Sequence, residues 1–182
     1  MNDIQFLTKA MNFVAQKHID QRRKGERAEP YINHVIEVAG LVAEHTRGKN
    51  PIAVIAALCH DTIEDTKTTY EELVREFGEN VADIVRETTD DKSLPKHVRK
   101  QLQIEHASHA SDEAKMVKMA DKISNLRSIL TSPPPDWSTE RKLEYFNWAK
   151  KVVDNCRSAN AGLAACFDET YQRGIKVFRP AA

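Results

Sequence analysis

Glycine and proline are scarce in this chain, at 6 and 7 of 182 residues. Strand-type alternation is rare as well, and the two shortages together point away from turn-rich β architecture and toward helices. Cysteine is scarcer still. Cys59, Cys156 and Cys166 lie far apart, with no Cys-x-x-Cys among them. An odd, dispersed set argues against a disulfide framework and for reduced thiols in a cytoplasmic protein. An excess of charge is missing too, because 27 Lys and Arg balance 27 Asp and Glu. That balance argues against a nucleic-acid or anionic-membrane binder, so any anionic ligand must be met by a local cluster of cations. No apolar run is long enough to cross a bilayer. The N-terminus, MNDIQFLTKA, lacks a basic segment followed by an apolar core, so no secretory signal is expected.

What is present predicts an all-α bundle of about eight or more helices in one domain spanning 1–182. Ile4, Leu7, Met11 and Val14 recur at helical spacing, which predicts a first helix over Ile4–Lys17. The polar stretch QRRKGERAEP reads as a loop, and Arg22, Arg23 and Lys24 make a basic cluster in it; a solvated surface loop is its bland reading. Tyr31–His45 is expected to be helical, with Ile32, Ile36, Ala39 and Val42 inward. Pro51 suits the first turn of a third helix. Thr69 and Glu72 stand as a capping box before a short helix that stops at Gly78. Further helices are expected to end near Thr88, to begin near Pro95, and to run over Asp112–Leu130, Ser138–Cys156 and Ser158–Arg173. The end, GIKVFRPAA, is expected to fray. Lys96, Arg99 and Lys100 sit early in their helix, where its dipole disfavours cations, which suggests an anion nearby.

The chain is organised around IAVIAALCHDTIED, Ile52–Asp65. An unbroken apolar run ends on His60, Asp61, Glu64 and Asp65, and ending a buried element so is costly unless those groups bind something. On one continuous helix all four would project to one broad side. His34 borders the apolar face of its helix, and Asp121 abuts Ala120 on the core side of another. For Asp121 the bland alternative is an ion pair with a lysine or arginine. Two imidazoles and two carboxylates without thiolates suit a divalent transition metal rather than a structural zinc site. Glu64 and Asp65 are then placed to orient water or move protons.

Three motifs carry a resemblance: Tyr31-Ile-x-His34, His60-Asp61-Thr62-x-Glu64-Asp65-Thr66, and Ala120-Asp121-Lys122-x-x-Asn125-Leu126. The chain resembles the HD-domain metal-dependent phosphohydrolases. More narrowly, it resembles the guanosine 3′,5′-bispyrophosphate hydrolase domain of RelA/SpoT enzymes in its stand-alone, metazoan SpoT-homologue form. Thr89-Asp90-Asp91-Lys92, Leu94-Pro95-Lys96, Trp137-Ser138 and Tyr145-Phe146 extend the similarity over nearly the whole chain. The resemblance implies Mn²⁺ held by His34, His60, Asp61 and Asp121, with Glu64 and Asp65 assisting the metal-bound water that attacks phosphorus. It also implies substrate contacts at Arg23, Lys24, Lys96, Asn125, Arg141 and Tyr145. The implied reaction removes pyrophosphate from the ribose 3′ position of (p)ppGpp to leave GDP or GTP. The basic loop then becomes a phosphate clamp.

One departure is visible: related enzymes commonly carry proline after the first histidine, where this chain has Val35, a change that would bear on the local helix start. The chain is too short for the synthetase and regulatory domains of long RelA/SpoT proteins, so a hydrolase without its own synthetase is expected. Two rivals stay open. One is an HD phosphohydrolase for another nucleotide, such as an NADPH 2′-phosphatase, since a metal centre does not fix its substrate. The other is a catalytically silent nucleotide-binding module.

Overall fold

A helix that is apolar on every side must be covered on every side, and the centre of this fold is such a helix. The computed structural model describes residues 2–179. Its helices are α1 (Asp3–Lys17), α2 (Ile32–Thr46), α3 (Pro51–Cys59), α4 (Thr62–Asp65), α5 (Tyr70–Phe77), α6 (Glu79–Thr88), α7 (Lys96–Ala107), α8 (Asp112–Thr131), α9 (Thr139–Asp154) and α10 (Ala161–Phe178), with a 3-10 turn at Arg157–Ala159. The architecture is all-α. The extended contact among the described residues is a single bridge between Arg22 and Pro30. Every residue of Ala53–Cys59 is buried. Helices α1, α2, α6 and α8 pack around α3, and α9 and α10 close the far side of α8.

Local signals explain where helices begin. Asn50, Ser111, Ser138 and Asn160 each accept a backbone N–H from the residue three positions on, capping α3, α8, α9 and α10. Thr69 does the same for α5, but the expected capping box is half made: the Glu72 carboxylate turns away and pairs with Lys17 of α1 at 2.9 Å. Gly78 ends α5 with φ +86°, as its glycine allows.

The structure corrects several expectations. Ile4 is 75% exposed, Met11 borders solvent, and α1 buries Ala10 and Val14. In α2 the inward face is rotated, so that Ile36 faces solvent while Val35, Val38 and Leu41 are buried. Equal apolarity at neighbouring positions made the two faces indistinguishable until α3 and α8 were packed against one of them. Val35 does not displace the helix start, since α2 begins three residues earlier at Ile32. The last helix continues to Phe178 instead of fraying from Gly174. Gly174 is itself a packing residue: a Cβ there would lie 1.8 Å from the Phe146 ring, so α10 approaches α9 over bare backbone. The remainder of the expected frayed end, 180–182, lies outside the described residues. Cys59 and Cys156 are buried and Cys166 is half-buried, all as free thiols. Among the described residues, no helix is long and apolar enough to cross a membrane.

Candidate functional site

The stretch predicted as one helix is broken at the site. α3 stops at Cys59, His60 and Asp61 form a turn, and α4 resumes for a single turn. Asp61 has ψ 0°, outside the helical well, and Thr62 Oγ1 donates to the Cys59 carbonyl at 2.7 Å. The break turns His60 and Asp61 inward while leaving Glu64 and Asp65 on the rim of a cavity.

His34 of α2, His60 and Asp121 of α8 each offer a ligand atom, all within 4.8 Å of one another. Asp61 is not one of that mutually close set, yet its Oδ2 lies 3.0 Å from His60 Nε2 and 3.6 Å from His34 Nε2. Asp121 Oδ1 lies 3.2 Å from His34 Nε2 and 3.8 Å from His60 Nε2.

Each ring nitrogen that faces away from the cluster is engaged. His60 Nδ1 donates to the Ala57 carbonyl at 2.7 Å. Ser124 Oγ donates to Glu37 at 2.7 Å, so it accepts from His34 Nδ1 at 2.8 Å. Arg127 holds the other oxygen of Glu37 at 3.1 Å. Both imidazoles therefore direct Nε2 to the centre, the arrangement of metal-ligating histidines. His60 Nε2 is buried without a hydrogen-bond partner. That orphaned nitrogen, aimed between two carboxylates, fits a divalent ion.

The electrostatics agree. Burial presses the His60 imidazolium toward neutrality, but Asp61 and Asp121 overcome it and raise its pKa to about 10. Burial alone would push both carboxyls up. Instead His60 and His34 hold Asp61, and Lys122 with His34 hold Asp121, well below the usual carboxylate range. The pocket is built for positive charge at its centre.

The carboxylates are anchored from outside. Tyr31 Oη donates to Asp61 at 2.6 Å. Asn125 Nδ2 donates to Asp121 Oδ1 at 2.6 Å, and Lys122 Nζ meets Oδ2 at 2.8 Å. The ion pair offered as the bland alternative for Asp121 thus exists beside the metal-type contacts, one oxygen for each. Arg23 donates to Asn125 at 2.9 Å, which ties the basic loop to the cluster. That loop rests on the proline-rich turn: Glu26 N–H donates to the Pro133 carbonyl and Arg27 N–H to Ser132 Oγ. A Cβ on Gly25 would lie 2.1 Å from the Ser132 carbonyl, so the seating requires glycine.

A cavity of 610 Å³ opens over the cluster. Of the residues singled out from sequence, it brings together Arg23, Lys24, His60, Asp61, Glu64, Asp65, Lys96, Asp121, Asn125, Arg141 and Tyr145. His34 reaches the cluster from behind and borders a second cavity of 400 Å³. Ten lysines and arginines line the main cavity against five carboxylates, a strong local excess in a chain of zero net charge. Arg22 is directed elsewhere, donating to the carbonyls of Ile19 and Gln21. Tyr145 sits between Trp137 and Trp148, with centroids at 5.5 and 5.2 Å, and burial raises its pKa to about 12. Arg141 lies over Trp137 at 4.6 Å.

Glu64 and Asp65 differ in setting. Burial, opposed by a hydrogen bond from the Asp90 N–H and reinforced by the Asp61 charge, raises the Glu64 pKa to about 7. Asp65 accepts from Gln21 at 2.8 Å and from Lys92, and Gln21 is held in turn by His18 Nδ1 at 2.6 Å. Tyr31 could have been found from sequence, one turn before His34. Glu37, Ser124 and Arg127 could not, since only the packing of α2 on α8 brings them together.

The protein-family model described as HD domain matches residues 10–145. The chain is 48% identical over 178 residues to guanosine-3′,5′-bis(diphosphate) 3′-pyrophosphohydrolase MESH1 of Xenopus tropicalis, covering 97% of this chain and 99% of that one. It is 46% identical over 173 residues to the enzyme of the same name from Homo sapiens, covering 94% and 96%. The solved structure of a metazoan orthologue of SpoT, described as hydrolysing ppGpp and playing a role in starvation responses, superposes with a TM-score of 0.88 at 43% identity. It covers 92% of this chain and 94% of that one.

Proposed function

The chain belongs to the HD-domain family, and from that membership we propose that it hydrolyses guanosine 3′,5′-bis(pyrophosphates), releasing pyrophosphate from the ribose 3′ position and leaving GDP or GTP. Residues 1–182 act as one hydrolase domain. The observation that carries this reading is the meeting, in one cation-rich cavity, of the His–Asp cluster with a carboxyl whose pKa is about 7. The relatives named as 3′-pyrophosphohydrolases, similar over nearly the whole chain, supply the substrate class.

We assign Mn²⁺ to His34, His60, Asp61 and Asp121, a mixed nitrogen and oxygen set that suits it. Such an ion, when bound, lowers the pKa of a coordinated water and polarises a phosphoryl oxygen. The remaining work belongs to the chain. Tyr31, Asn125 and Lys122 fix the carboxylates, while Ser124 and the Ala57 carbonyl fix the imidazole tautomers. Glu64 takes the proton of the water that attacks phosphorus and can return it to the departing ribose 3′ oxygen, as a pKa near the working pH permits. Asp65, held by Gln21 and Lys92, keeps that rim in place. Arg23, Lys24 and Lys96 receive phosphate oxygens, Asn125 links the basic loop to the cluster, and Arg141 with Tyr145 forms the aromatic wall for the nucleoside. A zero net charge and free thiols support a cytoplasmic enzyme that acts on a small nucleotide.

The test is a substrate panel of guanosine and adenine phosphates and NADPH, offered to the Mn²⁺-loaded protein with products separated by ion exchange. Pyrophosphate released from the 3′,5′-bis(pyrophosphates) is expected. Phosphate from NADPH alone, or no product from any substrate, overturns the reading.

A further inference from the structure

Lys118 and Lys122 stand one turn apart on α8, and both line the main cavity. Their surroundings differ. The Lys122 ammonium is met by Asp121 at 2.8 Å and lies 4.7 Å from the Trp148 ring centroid. Lys118 is 7% exposed, yet among the described residues its Nζ forms no ion pair and donates no hydrogen bond. Burial, reinforced by the Lys122 charge, lowers its pKa. Asp90 and Asp121 oppose that shift without contacting the ammonium, and Cys156 adds no anion, because burial pushes that thiol up to about 11. A third lysine reaches the same wall from α7: Lys100 lies 4.7 Å from the Trp148 centroid and 5.6 Å from that of Tyr145, again without an ion pair among the described residues. Lys100 and Lys122 thus meet at Trp148, Lys118 lines the same cavity, and among the described residues only Lys122 of the three contacts a carboxylate.

A largely buried lysine that touches no carboxylate is costly, and such a group is retained where a ligand supplies a contacting anion. Pyrophosphate is the ligand class that fits, since its several anionic oxygens can accept from several ammonium groups at once. We propose that Lys118, together with Lys100 and Lys122, forms a polyphosphate subsite on the α7–α8 wall of the cavity, separate from the Arg23 and Lys24 loop. The inference rests on the nucleotide reading of the cavity and deepens it. A 3′,5′-bis(pyrophosphate) carries two polyphosphate groups, and the cavity then has two basic regions to receive them. No step of the hydrolysis requires Lys118, so its part is in affinity and substrate choice.

Inorganic pyrophosphate is the probe, titrated by calorimetry into the full chain in the presence of chelator, so that no metal contributes to binding. The wild type is expected to bind it. Lys118→Met should weaken binding about ten- to a hundredfold, the worth of one charge-assisted hydrogen bond. Lys118→Arg should restore most of it, and Lys100→Met should also weaken it. Metal uptake by Lys118→Met, measured by elemental analysis, should equal the wild-type value. Removing an unpaired buried charge should leave the thermal midpoint of Lys118→Met unchanged or raised; if that variant does not fold, Lys100→Met decides by the same measure. Pyrophosphate affinity within twofold of wild type in the deciding variant, or no binding by the wild type, overturns the subsite. Because this titration needs no turnover, its failure is distinct from a failure to hydrolyse the bis(pyrophosphates).

Discussion

Glu64 and Ser124 show how much of this site depends on single contacts. The Glu64 carboxyl sits half-buried near the Asp61 charge, which raises its pKa to about 7. In its proposed role as general base it would work ionised, so the rate should rise as pH passes through about 7. Glu64→Gln should lower kcat by roughly 10²- to 10⁴-fold and abolish that limb of the pH profile, with metal content unchanged. The stability linkage has the opposite sense. A carboxyl with a raised pKa contributes stability that is complete below about 4.5 and lost as pH rises through about 7. The stability difference between wild type and Glu64→Gln, followed by urea unfolding across that window, should fall with pH. Ser124 does not line the main cavity, but its hydroxyl fixes the tautomer of His34. Ser124→Ala should weaken divalent-metal binding about 10- to 100-fold, read by metal titration, with little change in the thermal midpoint of the metal-free protein.

At the scale of elements, the site is assembled from one central helix and what packs on it. α3 carries His60 to its end, α2 and α8 bring His34 and Asp121 to meet it, and the loop before α2 brings Arg23. The helix starts at Pro51, Asp112 and Ser138 were legible in sequence because first-turn prolines and caps are local signals. The faces of α1 and α2 were not, since apolar residues on adjacent positions leave the choice to the neighbours, as Ile4 and Ile36 show by facing solvent. The seating of the basic loop on the Ser132–Pro133 turn was likewise invisible, being a contact between segments over a hundred residues apart. Gly25→Ala tests that seating. Its Cβ would collide with the Ser132 carbonyl, and the displaced Arg23 and Lys24 should raise KM by about an order of magnitude while kcat changes less.

For the whole molecule, the central question is where charge is placed. A chain with zero net charge gathers a local excess of cations around one cavity and two carboxylates around one pair of imidazoles. In the absence of metal, a proton on His60 balances those carboxylates, as its raised pKa shows. Metal and proton therefore compete for the centre. Binding of a divalent metal near neutral pH should release protons, measurable by calorimetry in buffers of different ionisation enthalpy, and should weaken as pH falls. Chelation should lower the thermal midpoint, with about 2.7 kcal/mol recovered at a metal concentration a hundredfold above Kd.

From sequence alone came the helical class, most helix boundaries, the candidate ligand residues and the family likeness. Each of these rests on local periodicity, caps or short motifs, which need no partner to be recognised. Only the tertiary structure decided the break at His60 and Asp61, the Ser124 and Glu37 support behind His34, and the burial of Lys118 beside the cavity. The physical reason is common to all three. The charge state and direction of a polar group are set by what lies across the helix interface, and residues distant in the chain supply those neighbours.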